Sequence, residues 1–238
     1  MNVTVARLTA RGLLGRRRGI LLLVVPALLL LVAVIARLTA DTPEDLAATV
    51  VGRLGLGTLL PILSLVVGTG VIATEIEDGS IVYLLSKPLP RHSIVTTKLA
   101  VAVFATWLLS ALPILVAGLL LCGTRDGVAV AYTVGALVSG AAYSALFLLL
   151  GVVTKHAVVA GLGYALVWES LVGNFVPGAR TLSVQQWGLA VAKPLAVEGA
   201  IAADVALEVA APMLALVAVA ATVLAAVRLG GLTLAGEE

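Results

Sequence analysis

The run from Glu75 to Arg91 gathers more ionisable side chains than any other internal stretch of this chain. It opens with Glu75, Glu77 and Asp78, closes with Lys87 and Arg91, and carries Ile81, Leu84 and Leu85 between them. Asp78 is suited to cap a helix starting at Gly79, and Glu75 and Glu77 add negative charge near its positive end. Ile81, Leu84 and Leu85 fall at i, i+3 and i+4, one apolar stripe on such a helix. Lys87 favours its carboxyl end, and Pro88 and Pro90 stop it. The pattern predicts a helix of about two turns. A stripe that small has to be buried, either against its own bundle or in a partner's groove. The chemistry on offer is recognition, not catalysis.

Elsewhere the reactive residues are sparse. Glu169 lies in an apolar stretch, near the outer end of its span, with Trp168 before it and Arg180 after it. An ionisable group at membrane depth is costly and marks a candidate gate or path residue. The competing reading is an interfacial carboxylate that reaches lipid head groups or bonds Ser170 or Arg180. His92 and His156 stand far apart, with no cysteine or carboxylate at metal-ligand spacing, which predicts no metal site. Cys122 is the single cysteine, so an internal disulfide is excluded. No serine, histidine and acid constellation indicates a hydrolase. No G-x-x-x-x-G-K-[ST] loop occurs, and no lysine precedes Ser or Thr, so the chain is not expected to hydrolyse ATP.

The elements that must position these residues are apolar helices. With 61% hydrophobic and only 12% charged residues, the composition excludes a soluble domain. About 20 apolar residues span the hydrocarbon, and runs this long are too long for barrel strands. Six spans are expected, at about 19–36, 55–74, 99–121, 128–153, 157–172 and 211–227, in a single domain covering 1–238. The first run lacks a small-residue cleavage site, which argues against a removed signal peptide. Arg7, Arg11, Arg16, Arg17 and Arg18 precede the first span. Lys87, Arg91, Lys98 and Lys155 lie on that same side, whereas basic residues of the opposite connections are diluted by acids. The positive-inside rule therefore places both termini in the cytoplasm of a multi-pass protein of the inner (cytoplasmic) membrane.

Residues 3–18 read as a basic amphipathic helix on the cytoplasmic interface, burying Val5, Leu8, Leu13 and Leu14 among anionic lipids. Topology anchoring alone would also explain its arginines. Small residues Gly135, Ser139, Gly140 and Ala141, with Gly161 and Gly163, permit close helix approach. The long connector 173–210 reads as an extracytoplasmic segment. Helices are expected over 184–193 and 196–210, and Trp187 is suited to the outer interface.

The spacing Glu75-x-x-x-Gly79-Ser80-x-x-x-Leu84-Leu85-Ser86-x-Pro88-x-x-Arg91-x-x-Ile94-x-x-x-Lys98 resembles the motif of ABC-2 type transporter permeases. The six-span layout, the basic amino-terminal helix and the segment Trp168-Glu169-Ser170-Leu171 with Pro177-Gly178-Ala179-Arg180 extend the resemblance more weakly. It implies an all-α permease with a basic elbow helix at 3–18 and a coupling-helix loop at 75–98. It also implies a lid over the outer mouth at 173–210. By the same resemblance Glu75, Asp78, Gly79, Ile81, Leu84, Leu85, Lys87, Pro88 and Arg91 would engage a cytoplasmic nucleotide-binding ATPase subunit. That subunit would carry the ATP and magnesium, and this chain would hold no cofactor. A second copy or a homologous permease would complete the path, with lipids around it and no nucleic acid.

Two other classes share part of these features. A secondary transporter would want charges in mid-span and broken helices in repeated halves. Pro26, Pro61 and Pro113 interrupt the spans, and mid-span charges are lacking, which disfavours it. A membrane anchor or sensor that docks a cytoplasmic protein would use the same connector without any path.

Overall fold

Proline punctuates the long helices, and its position decides their local geometry. A computed structural model describes residues 3–13, 16–42, 46–77, 91–172 and 179–231. Helix α1 is Val3–Leu13 and α2 is Arg16–Thr39, with Pro26 inside it. Helix α3 is Ala48–Gly70, a π-helix over Ala48–Leu59 that becomes α-helical over Leu60–Gly70. A short α4, Ala73–Glu77, follows. Helix α5 runs over Arg91–Thr106, a π turn Trp107–Ala111 and Leu112–Cys122. In both α3 and α5 the π register ends at a proline one residue into the α-helical part, Pro61 and Pro113. Proline has no N–H to give and its ring collides with the carbonyl four residues back. Widening the preceding turn to i→i+5 relieves that clash. Thr58 Oγ1 donates to Arg53 O, five residues back, at 3.2 Å, in keeping with that register.

Helix α6, Val128–Val153, is the hub: α3, α5 and the two last helices all pack on it. Helix α7 starts as Ala157–Leu162 and continues as a π-helix over Gly163–Val172. Helix α8 is Val184–Ala192 and α9 is Leu207–Gly231. Five described helices are long and apolar enough to cross a membrane, in α2, α3, α5, α6 and α9. The apolar stretch Ala157–Glu169 of α7 is shorter than the fifth span expected. The large exposed side chains are apolar: Leu28, Leu31 and Ile35 on α2, Val219 and Val223 on α9, Val159 on α7. That distribution suits hydrocarbon as solvent and not water.

Several boundaries differ from those read in the sequence. Arg16, Arg17 and Arg18 belong to the first turn of α2 and not to α1. Leu8 of α1 is exposed as expected, but Leu13 is buried within the bundle. The second span starts at Ala48, not near Gly55, because glycines tolerated in a membrane helix extend it. Residues 196–206 do not form the expected helix. Gly199, at φ +88°, takes a conformation that L residues avoid, and the last helix starts only at Leu207.

The relative levels of α6, α7 and α8 follow from their contacts. Gly161 of α7 faces Leu65 and Phe147, while Gly188 of α8 faces Ser139 and Gly135 O. At the Val128 end of α6, Gly127 faces Leu195 O, and Val197 N–H donates to Asp126 O at 3.0 Å. Helix α8 thus starts beside the middle of α6 and climbs to its Val128 end. Helix α7 climbs from the other end only as far as the level where α8 begins. Between them the two helices line α6 along most of its length. A Cβ at Gly135 would stand 2.7 Å from Gly188 O, so α8 sits against α6 at backbone-contact distance.

Candidate functional site

Two polar centres interrupt the apolar bundle, one at each side of its middle. The first brackets the connector that carries the Glu75–Arg91 pattern. Residues 78–90, hence Asp78, Gly79, Ile81, Leu84, Leu85, Lys87 and Pro88, lie outside the described residues. Arg91 opens α5. What is described is how the two ends of that connector are fastened. Lys98, on α5, is fully buried, and its Nζ lies 2.6 Å from Glu75 Oε1 and 2.6 Å from Val71 O. Glu75 is 31% exposed at its side chain. A buried ammonium without a partner would be prohibitively costly, so the carboxylate and the carbonyl at the end of α3 are structural requirements for Lys98. Glu75, grouped in the sequence with the partner-binding residues, is thus also engaged inside the chain. Lys98 was visible as the last residue of the motif. Its partner was hidden by the 23 residues between them.

The second centre is Glu169, 5% exposed. Its Oε1 accepts from Tyr143 Oη at 2.8 Å, Tyr164 Oη at 3.1 Å and the backbone N–H of Val184 at 3.1 Å, and Oε2 accepts from Ser183 Oγ. The π register of α7 stacks Tyr164 directly over Glu169, five residues on. Ser183 is also the N-cap of α8, accepting from Gln186 N–H at 3.3 Å. One carboxylate therefore gathers donors from α6, α7 and the first turn of α8. The start of a helix has N–H groups without intrahelical partners and a positive dipole end, and a carboxylate answers both.

Glu169 lies three residues before the end of α7, the position in the fifth apolar run that the sequence reading gave it. Its partner Tyr143 lies ten residues from Val153, about 15 Å along α6. Trp187 is buried, and its Nε1 donates to Thr181 O at 2.8 Å. Trp168 Nε1 donates to Leu182 O at 3.4 Å, adding to the attachment of the segment before α8. The side chain of Arg180 lies outside the described residues. The glutamate could be picked out in the sequence; its partners Tyr143 and Ser183 could not, since a tyrosine and a serine at 26 and 14 residues' remove carry no periodic signal.

Beside Glu169 lies a cavity of about 670 Å3, bounded by the π-helical half of α3, by α8 and by the segment before α9. Arg53, Thr58, Tyr132, Gln185, Gln186 and Asp204 line it together with Glu169. Gln185 and Gln186 are the only glutamines of the chain. Gly57 makes room for one of them: a Cβ there would lie 2.5 Å from Gln185 Nε2. Among the described residues no group of three or more His, Cys, Asp or Glu is placed to hold a metal ion.

The arrangement offers anchoring, positioning and polar recognition. Comparison with known proteins adds one finding. A family model described as ABC-2 family transporter protein matches residues 14–175, a stretch that takes in the Glu75–Lys98 centre and all of α7 and ends before α8. No curated protein matches the chain.

Proposed function

This chain belongs to the ABC-2 transporter family, and we propose that its part there is that of the permease subunit of an ATP-driven exporter, coupled through residues 75–91 to a separate cytoplasmic ATPase. That it is a multi-pass transport protein of the membrane follows from the family and from its five membrane-length apolar helices. The observation that carries the coupling reading is the buried Glu75–Lys98 pair. It ties the chain on either side of the connector to one point at the end of α3, so a force applied to the connector is delivered to α3 and α5 together. An untethered loop would absorb it.

In this reading the termini and the connector are cytoplasmic, in the inner membrane, and α7 with α8 supplies the sixth crossing. Two copies, or one copy and a homologue, enclose the path and seat on two ATPases that bind ATP and magnesium. Closure of the ATPase pair pushes the connectors, and the helices behind Lys98 open or close the path. Glu169, with Trp168 and Arg180 beside it in sequence, holds the gate region. Export follows the tendency of the family. Apolar spans with few polar side chains favour an amphipathic or hydrophobic cargo.

Leu84→Asp and Leu85→Asp test the coupling in the assembled complex. They should abolish cargo-dependent stimulation of the ATPase while the spans remain inserted. Unchanged assembly and transport in both variants would refute the role of the stripe. The anchor or sensor alternative shares the connector but predicts no dependence of ATPase rate on cargo.

A further inference from the structure

A separate cavity of about 500 Å3 lies where the carboxyl ends of α6 and α9 come together. Its walls are apolar or bare: Val152 and Val153 of α6, and Val227 with the backbone of Gly231 on α9. The polar side chain among them is Arg228, which is exposed and makes no hydrogen bond or ion pair among the described residues. Lys155 follows Val153 by two residues, beside His156 at the start of α7, and both are exposed. The acids are placed differently. Asp126, Asp204 and Glu208 belong to the opposite ends of α6 and α9, and Glu75 is held by Lys98. From the cavity an apolar stripe leads away along α9. Leu216, Val219, Val223 and Val227, spaced by three and four residues on one face, are each more than half exposed. The stripe is about 16 Å long, close to half the thickness of the hydrocarbon layer.

We infer that this cavity seats the head group of an anionic phospholipid, its phosphate on Arg228 and one acyl chain along the stripe from Val227 to Leu216. A guanidinium fork takes two phosphate oxygens in parallel hydrogen bonds, and Lys155 adds a second positive charge at the rim. Basic pockets between membrane helices at the level of the head groups are suited to such lipids. The volume is within the range of small-molecule sites. Valine walls give a free phosphate nothing to bond, whereas they continue into the stripe that an acyl chain would cover. A cation in the last turn also offsets the negative end of a helix dipole. That role alone would make Arg228 indifferent to the lipid supplied. The site shares no residue with the coupling segment or with the Glu169 centre. Binding in detergent therefore stands or falls independently of the coupling and the topology proposed above, in which this end faces the cytoplasmic leaflet.

The test uses the full chain, delipidated in mild detergent, without ATP or partner. Dioleoyl phosphatidylglycerol and dioleoyl phosphatidylcholine are titrated, and the first lipid retained is identified by native mass spectrometry. The expected result is a preference of about tenfold for the glycerol lipid. Arg228→Gln should lower that preference about fivefold and Lys155→Gln about twofold, while Arg228→Lys keeps most of it. Arg53→Gln, which removes an exposed arginine near the start of α3, should leave it unchanged. Gly231→Phe fills the cavity without a clash at its root, since a Cβ there meets nothing within 4 Å. It should abolish the preference and leave the lipid-free melting temperature at the wild-type value. An excess of inorganic phosphate should not displace the lipid. The inference is overturned if the two lipids are retained equally, or if Arg228→Gln or Gly231→Phe keeps the wild-type preference. It is equally overturned if Arg53→Gln loses as much as Arg228→Gln, or if phosphate displaces the lipid and so identifies a free anion as the ligand.

Discussion

Glu75, part-buried, and Glu169, buried, are kept in opposite ways. Glu75 faces a full positive charge, Lys98, whose ammonium has no exposed surface at all. Glu169 faces hydroxyl groups and one backbone N–H, drawn from three different helices. A charge pair in low dielectric is strong but intolerant, because losing either charge strands the other. A ring of neutral donors needs only an acceptor of the right shape. The first arrangement suits a fixed strut between α3 and α5. The second suits a joint, since α8 is attached through bonds that can be exchanged one at a time.

The largest effect is expected where a charge is stranded. Lys98→Met leaves Glu75 part-buried and Val71 O unpartnered, and removing one member of a buried pair costs about 3 kcal/mol. Thermal unfolding in detergent should show it as the greatest loss of the set, with Glu75→Gln close behind at about 2 kcal/mol. Equal stability of Lys98→Met and wild type would mean the pair is no strut. Next comes Glu169→Ala, which strands several donors at once and should cost about 2 kcal/mol.

The comparison is sharpest in the matched amide exchange. Glu169→Gln can keep its carbonyl toward the two tyrosines and Val184 N–H while Ser183 turns to accept from the new NH2. It should therefore cost less than about 1 kcal/mol, where Glu75→Gln costs about 2. Equal costs for the two amides, read from denaturation midpoints, would erase the distinction drawn between strut and joint. A Gly135→Ala change probes the bed on which α8 lies. Its new methyl meets Gly188 O at 2.7 Å, so α8 must shift, at about 1 kcal/mol. That change should lower the stability of the α8 contact while leaving Glu75–Lys98 intact.

How far the sequence reveals these centres depends on separation along the chain. The fourth span matched its helix residue for residue, Val128–Val153, because turn residues bound a continuous apolar run. Periodicity cannot report the π register of α3 and α7, and that register moves Glu169 under Tyr164 and lengthens α3 to Ala48. The prolines at 61 and 113 were legible as interruptions, yet not as the cause of the wider turns before them. Hydropathy gave α8 its bounds, Val184–Ala192 against 184–193, but not its seat. A short apolar helix with a tryptophan reads the same whether it lies over the bundle or descends into it, and only the Gly135–Gly188 contact decides.

The most direct test of the account is to purify the chain from its native membrane in a gentle detergent and identify by mass spectrometry what accompanies it. A soluble subunit with a phosphate loop, present in stoichiometric amount and lost from Leu84→Asp and Leu85→Asp, is the result expected of a coupled permease. Recovery of the chain alone, or with a partner that has no ATPase fold, would contradict it.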